Sequence, residues 1–557
     1  MHSVGRISGF LAGAVVCGYG QPPLISYRGL FNAASLMPAG LAGGAVARGS
    51  IFLITGKNLS STDATPDLSD PLQTVLGGVS VTVTQGSTTV NAIPLVLTPT
   101  GVSAIMPSNA PLGAASVRII YKNVTSNPMP VRIVATQYGI YTANGAGNGP
   151  AMAAIDNGDG TTTPNTLQTP ASPGQTVYLS GTGLGAISTD TALLPNPGNL
   201  TVATEVFVGG LPATVSTKGR SGPGTDKIGF VVPDSAPLGC WTPVYVKTAG
   251  GNVSNFATIS SSADGSPCQE PNNVLSSALI NGGNIGSYAA ARINVRHDAG
   301  VRTPRDATSD VFGAYEAQEV AGPANFNPMF SLPPAGSCTA YTVAGDLIGN
   351  PLAFIAGMVP PTGKGLDNGG GASLTGDKGT RTAQKGDYPG ISGARLGSAA
   401  PALPLTQTPF LNSGGLTLGL PGGDDIGNSS TDTAVPTAFT WTNRDQILSV
   451  PLSKGLNITW SGGDPAASVF VVAANVDLPT NSTALALCIA PAATTNFTVP
   501  ADAMANLPVT RLRAIQSKGA IYVGQWNLAS PTPVAAAGLD FGALLPIFVT
   551  GKTVRFQ

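Results

Sequence analysis

One pattern of residues occurs twice in the first half of this chain, in the same order and at nearly constant offset. Gly49-Ser-Ile-Phe-Leu-Ile-Thr-Gly56-Lys-Asn-Leu59 is matched by Gly174-Gln-Thr-Val-Tyr-Leu-Ser-Gly181-Thr-Gly-Leu184. Leu76-Gly77-Gly78-Val79 is matched by Val208-Gly209-Gly210-Leu211, and Met106-Pro107-Ser-Asn-Ala-Pro111-Leu-Gly113 by Val232-Pro233-Asp-Ser-Ala-Pro237-Leu-Gly239. Ser126-Asn127 closes the first copy and Ser254-Asn255 the second. Matches in a conserved order mark two copies of one structural unit.

Each copy has the pattern of a β-sandwich. Segments such as Val79-Ser-Val-Thr-Val83 and Val244-Tyr-Val-Lys-Thr248 alternate apolar and polar residues, so one face of each strand is buried, and Gly, Pro, Asn and Asp separate them. Up to about residue 260 no helical period is sustained, which argues against a parallel βαβ architecture. Gly56 and Gly181 are expected to allow a tight turn after a core strand, and Gly77-Gly78 and Gly209-Gly210 to take positive φ in a hairpin.

The residues that carry the repeat also carry a resemblance. The strand ending in Gly-x-x-Leu, the Gly-Gly hairpin and the Pro-x-x-x-Pro-Leu-Gly segment resemble IPT/TIG domains, which are immunoglobulin-like sandwiches. Asn32-Ala33-Ala34-Ser35 before the first copy, and Gly139-Ile140-Tyr141 opening the second, are similar to an uncharacterised Solibacter-type secreted domain family. The resemblance covers residues 27–262. It implies two immunoglobulin-fold domains, 27–135 and 136–262, and leaves function open, because such modules serve adhesion, receptor, transcription-factor and polysaccharide-enzyme contexts alike.

With 557 residues the chain has room for three or four domains. It contains 72 Gly and 47 Pro beside an apolar fraction of 42%, a balance that fits many short strands joined by turns better than disorder. Only 10% of residues are charged and the net charge is -1, with no cluster of Lys and Arg, so nucleic acid is not an expected partner. Residues 1–20 read as an export signal: His2 and Arg6 precede the apolar run Ile7 to Cys17, which is too short for a stable span. A lipoprotein role for Cys17 competes with that of a small apolar residue, and Val16 stands where a small residue is normally required.

Behind that segment remain Cys240, Cys268, Cys338 and Cys488, an even number that suggests two disulfides in an exported protein. Three connectivities are open. Pairing of near neighbours, Cys240 with Cys268 and Cys338 with Cys488, is favoured, and the first bridge would contribute roughly 3 kcal/mol by restricting the unfolded chain. Zinc would require a different set of ligands: there is no C-x-x-C, and His297 is the one histidine after the signal.

Residues 263–557 carry no copy of the repeat and are expected to form a C-terminal β-rich domain, a larger sandwich or jelly roll, after a linker at 263–273. Strand character returns in Leu416–Leu420, Leu456–Trp460, Val469–Val472, Ile521–Val523 and Val549–Phe556. The stretch 360–397 reads as a long surface loop or set of hairpins, and a short helix is expected at Ala501 to Leu507 after Pro500. The fold class is therefore all-β, with tandem immunoglobulin-like sandwiches followed by a larger β domain.

No catalytic set is legible. His297 could serve as a general base, but no G-x-S-x-G elbow accompanies it. A glycosidase needs two carboxyl groups in one cleft, and Glu205, Glu270, Glu316 and Glu319 are the only glutamates. Asp424-Asp425, among glycines, could supply oxygen ligands to Ca²⁺ or form a solvated turn. Asp156-Asn-Gly-Asp-Gly160 lacks the terminal acid of an EF-hand, and Gly357 to Gly365 is a poor P-loop with prolines in the cradle. Trp441 and Trp460 are candidate sugar-stacking residues, set against a role in core packing. The reading that follows is a secreted or cell-surface binding or adhesion protein with extracellular polysaccharide or a surface protein as partner. A polysaccharide-active enzyme with carboxylates in the C-terminal domain and a self-associating envelope or matrix protein are the alternatives.

Overall fold

A computed structural model describes residues 21–66, 71–191, 200–298, 304–322, 325–346, 348, 364–385, 391–398, 410–411, 414–435, 439–510 and 517–557. The expected export signal, Cys17 and most of the P-loop-like segment lie outside the described residues. The fold is all-β. Among the described residues no helix is long and apolar enough to cross a membrane.

Strands between Leu24 and Val134 form one network, and strands between Gly139 and Ser261 form a second. Each network bends around one strand that changes partners midway. Thr88–Leu97 pairs first with Val79–Gln85 and then, from Ile93, with Gly101–Ile105. Leu211–Gly222 does the same between Thr204–Val208 and Thr225–Val231. The inner faces close on separate cores, one around Phe52, Val81, Val102 and Ile119, the other around Val177, Val206, Phe230 and Val244.

The repeated residues have matching tasks in both copies. Gly49 N–H donates to Met106 O at 2.7 Å, and Gly174 N–H to Val232 O at 2.9 Å. Ser126 Oγ accepts from Ile119 N–H, and Ser254 Oγ from Val246 N–H, each at 2.9 Å. The neighbouring asparagine clasps the opening strand: Asn127 accepts from Ile25 N–H at 2.8 Å and donates to Ile25 O at 3.0 Å, and Asn255 bonds Ile140 with the same two distances. One amide thus satisfies two backbone groups that have no ladder partner at that edge.

Gly77-Gly78 and Gly209-Gly210 take positive φ as expected. Gly56 and Gly181 do not. They lie opposite Ile25 and Ile140, where the opening strand crosses the core strand, and a Cβ there would run into Leu24 O or Gly139 O. The motif glycine therefore permits backbone to touch backbone, where the sequence suggested a turn.

The C-terminal region is built on one twelve-stranded sheet among the described residues. Gly283–His297 runs antiparallel to Arg305–Glu319 and parallel to Phe541–Phe556, which places the beginning and end of the region side by side. Both faces are covered. Phe470, Val472 and Ala474 face a core that includes the short helical segment Val274–Asn281, and Val469, Val471 and Ala473 face a second core with Trp441, Trp460 and the helix Ala501–Met504. Two-sided burial explains the near-continuous apolar runs Ser468–Asp477 and Ser482–Pro491. A small sheet containing Ser373–Gly376 and Gly415–Leu420 packs over Tyr288, Phe312 and Leu544. Both favoured disulfides are present, and Cys338 lies directly opposite Cys488 in adjacent strands.

The units are packed together and not strung out. Asn32 Oδ1 accepts from Ala34 and Ser35 N–H, shaping a turn that abuts Gly139 and Gly147, and Asn32 Nδ2 donates to Gln137 O at 3.2 Å. Ile51 N–H donates to Thr182 Oγ1 at 2.8 Å, and Ser108 Oγ to Asp190 at 2.6 Å. On the other side Tyr245 stacks between Phe207 and Phe256, Lys247 pairs with Asp502 at 3.0 Å, and Asn506 Nδ2 donates to Ser254 O. Met37, Asn148, Phe256, Tyr341 and Leu507, drawn from all three units, line one cavity of about 40 Å³.

Glu270 lies near Gly239 and Pro334, where the second unit meets the C-terminal region beside the Cys240–Cys268 bridge, and its Oε1 accepts from Cys240 N–H at 2.7 Å. Burial raises its carboxyl to about 7, opposed in part by that hydrogen bond. A carboxyl raised on folding favours its protonated form, so its contribution to stability is full below about 4.5 and is lost as pH rises through about 7. Glu270→Gln should therefore melt about 2–4 °C above the native protein at pH 8, with the difference vanishing toward pH 4, as calorimetry would register. Gly181→Ala should cost roughly 1–3 kcal/mol in denaturant unfolding through the collision with Gly139 and Tyr138, whereas Gly222→Ala, with open space around it, should be near neutral.

Candidate functional site

The two tryptophans singled out from the sequence are interior residues. Trp441 and Trp460 are 4% and 3% exposed and pair across strands Phe439–Trp441 and Leu456–Gly462, with Trp460 Nε1 donating to Ala492 O at 2.9 Å. They cannot present a face to a sugar, and core packing is their role. Trp241 is buried as well, at 1%. Trp526, partly exposed, is the remaining tryptophan.

Trp526 ends the strand Ser517–Trp526, opposite Ser468. It follows Tyr522 and Gly524 on one face of that strand, and its ring is backed by Phe470 at 4.5 Å. Gly524 leaves the space that the Phe470 ring fills. Two recesses share Trp526 and Leu545. One is a groove of about 230 Å³ with Asp464, Gln525, Asn527, Thr532 and Phe548 in its walls. The other is an apolar pocket of about 120 Å³ with Met329, Phe330, Leu487 and Ile547.

The polar wall of the groove is fixed before any ligand arrives. Gln525 Oε1 accepts from Asp464 N–H at 2.9 Å while its Nε2 donates to Asp464 O at 2.8 Å. Asp464 accepts from Ala466 N–H and from Asn527 Nδ2 at 3.0 Å, and Asn527 Oδ1 accepts from Ser530 N–H. Gly463, at φ 78, makes room for the Gln525 amide. An indole face beside interlocked carboxylate, amide and hydroxyl groups suits a ligand with apolar C–H faces and hydroxyl edges.

Glu316, Glu319, His297 and Lys552 are engaged in the fold. Glu316 accepts from Tyr288 Oη and from Asn368 Nδ2, both at 2.8 Å, and Glu319 accepts from Tyr315 Oη. The two glutamates are 4% and 2% exposed. Burial first, and then the adjacent carboxylate, pushes both tyrosines far above their ordinary range. His297 ends its strand opposite Arg305, and burial lowers its pKa. Lys552, fully buried, donates to Asp298 at 3.0 Å and to the carbonyls of Arg444 and Asp445.

The Asp424-Asp425 turn is clasped by a second glycine-rich loop. Asp425 Oδ2 accepts from Asp367 N–H at 2.9 Å, Asp367 Oδ2 accepts from Asp424 N–H at 3.3 Å, and Lys364 lies 3.4 Å from Asp425. The backbone hydrogen bond from Asp367 is the main reason the Asp425 carboxyl is held below its usual range. Among the described residues, the one group of three potential metal ligands is Cys240, Cys268 and Glu270, whose sulfurs are bonded to each other. Asp156 and Asp159 cap their own turn through Gly158 and Thr161 N–H.

No family model matches the chain, and no curated protein matches it. Among solved structures, it is similar to the surface glycan-binding protein SGBP-B of a Bacteroides ovatus mixed-linkage glucan utilization locus, in complex with a heptasaccharide. That alignment is 12% identical, covers 39% of this chain and 44% of the other, less than half its length, and has a TM-score of 0.20. SGBP-B from a Bacteroides uniformis xyloglucan utilization locus aligns over 68% of this chain and 86% of its own, at 12% identity and TM-score 0.16. A tetra-tandem repeat from the extending region of a large adhesion protein aligns over 96% and 98%, at 12% identity and TM-score 0.13. At such scores these likenesses say nothing of what this chain binds.

Trp526 carries no distinguishing mark in the sequence, because Gly-Gln-Trp-Asn reads like any strand end. Its exposure is directly measurable. Acrylamide should quench a fraction of the native fluorescence, and Trp526→Phe should remove most of that fraction, whereas the signal of the three buried indoles should be quenched only on unfolding.

Proposed function

We propose that this is a secreted or cell-surface protein that binds polysaccharide, and that its C-terminal domain receives a sugar unit in the groove beside Trp526. The observation that carries this reading is the convergence of a partly exposed indole with the pre-set Asp464–Gln525–Asn527 wall. A platform already held by protein hydrogen bonds loses little conformational entropy when a ligand lands on it. The two disulfides suit an oxidising compartment, and the low charge density suits an uncharged polyhydroxylated partner. The duplicated N-terminal units, packed against this domain, act in this reading as a rigid mount. Binding proceeds without calcium, because the Asp424-Asp425 turn is held by backbone N–H groups and Lys364.

The test is retention on a panel of insoluble polysaccharides, with and without calcium, together with assay of released reducing sugar. The expected outcome is calcium-independent retention without release on at least one polymer, weakened about tenfold or more by Trp526→Ala. Trp526→Ala should keep the native melting profile to within a few degrees, whereas Trp460→Ala should lower it sharply by emptying the core. Retention that survives Trp526→Ala overturns the assignment of the groove, and released sugar overturns the reading of the protein as non-catalytic.

A further inference from the structure

A second recess lies far along the chain from Trp526, against the first N-terminal unit. The opening strand pairs Ile25 with Gly56 and next Leu30 with Ile54, so the residues between them bulge from the ladder. Arg28 takes the left-handed conformation at φ 53, a region L side chains avoid. The bulge turns Tyr27 outward to 79% exposure. Bulges of this kind commonly re-aim a side chain toward a site.

Arg28 is held behind that ring. Its Nε donates to Tyr27 Oη at 3.2 Å, its guanidinium lies 5.4 Å from the ring centroid, and its Nη1 donates to Ala39 O at 3.2 Å. Asp477, largely buried, stands 3.7 Å from Nη1 and balances its charge. Gly40, at φ 105, leaves the guanidinium its space.

From Tyr27 a groove of about 820 Å³ follows the strand Met129–Val134. Arg132 lines it, points outward, and takes part in no ion pair among the described residues. No Asp or Glu lines the groove. The recess thus joins an exposed aromatic ring, held in place by a cation, to one uncompensated positive charge.

We propose that this groove is a second binding site and that it takes an acidic polysaccharide, with a uronate pyranose against Tyr27 and its carboxylate on Arg132. A guanidinium grips a carboxylate through two parallel N–H groups, and a pyranose C–H face packs on an aromatic ring. A neutral sugar would leave Arg132 without a counter-charge, and a single uncompensated cation is too few for a phosphate backbone. This site does not depend on the Trp526 reading.

The experiment measures binding of polygalacturonate and of its methyl ester to the full chain by calorimetry, at low salt and at about 0.5 M salt. The native protein should bind the acid form about tenfold or more tightly than the ester, and that preference should shrink at high salt. Tyr27→Ala and Arg132→Gln, both on the surface, should each weaken binding of the acid form about tenfold or more, while the remote Lys454→Gln leaves it unchanged. Equal binding of the ester, absence of binding, or a loss with Lys454→Gln equal to that with Arg132→Gln would overturn the proposal. Polyglutamate bound as tightly as polygalacturonate would likewise overturn it, marking an acidic-peptide site.

Discussion

Close approach of neighbouring segments at glycine sets the joints of this protein. The Asn32–Ser35 turn, shaped by one side-chain oxygen accepting two N–H groups, lies so close to Gly139 and Gly147 that a Cβ would meet the Asn32 amide at the first and Ser35 O at the second. Gly56 and Gly181 perform the same service inside each unit. Contacts this close allow little angular play, because the facing atoms are backbone or side chains held in place, such as Asn32, fixed by its own hydrogen bonds, and the buried Tyr138. From them follow the register of the opening strands, the seat of the second unit on the first, and the placement of residues 35–43 beside the C-terminal sheet.

The buried ion pair of the second unit extends that order into the loop after the motif glycine. Arg220 and Asp226, essentially unexposed, meet at 2.6 Å, and Asp226 also accepts from Gly183 and Leu184 N–H. Burial raises the Asp226 carboxyl, and the arginine and these backbone donors counter that effect. Arg220 Nη2 donates to Gly185 O and closes on Gly49 of the first unit. A charge removed from water in this way is tolerated only when it is both paired and hydrogen-bonded, and here the pair orders the loop at the joint.

The sequence made the repeat legible because each matched residue does backbone work: a Gly where chains touch, a Ser-Asn pair that clasps an edge, a Pro that opens a turn. Both disulfides and the strands around Leu456, Val469 and Ile521 were also accessible to pattern and spacing. The turn assigned to Gly56 and Gly181 was not correct, because a close approach and a positive φ select the same residue and sequence alone does not separate them. Trp441 and Trp460 misled for a related reason: alternation with polar residues shows that one face of a strand is wet without saying which. The pairing of Gly283–His297 with Phe541–Phe556 joins segments some 250 residues apart, and no local pattern encodes it. Trp526 and the Tyr27 bulge become visible only when exposure is known.

That long pairing sets how the C-terminal region would carry load. The two strands are parallel, in register from Ile285 opposite Phe541 to Arg296 opposite Lys552. Tension applied between residue 283 and residue 556 pulls at opposite ends of the pair and slides one strand along the other. Every hydrogen bond of the ladder then resists together, whereas an antiparallel hairpin pulled at its open end yields one bond at a time. Lys552, locked to Asp298 and two carbonyls near the end of that ladder, acts as a stop against the slide.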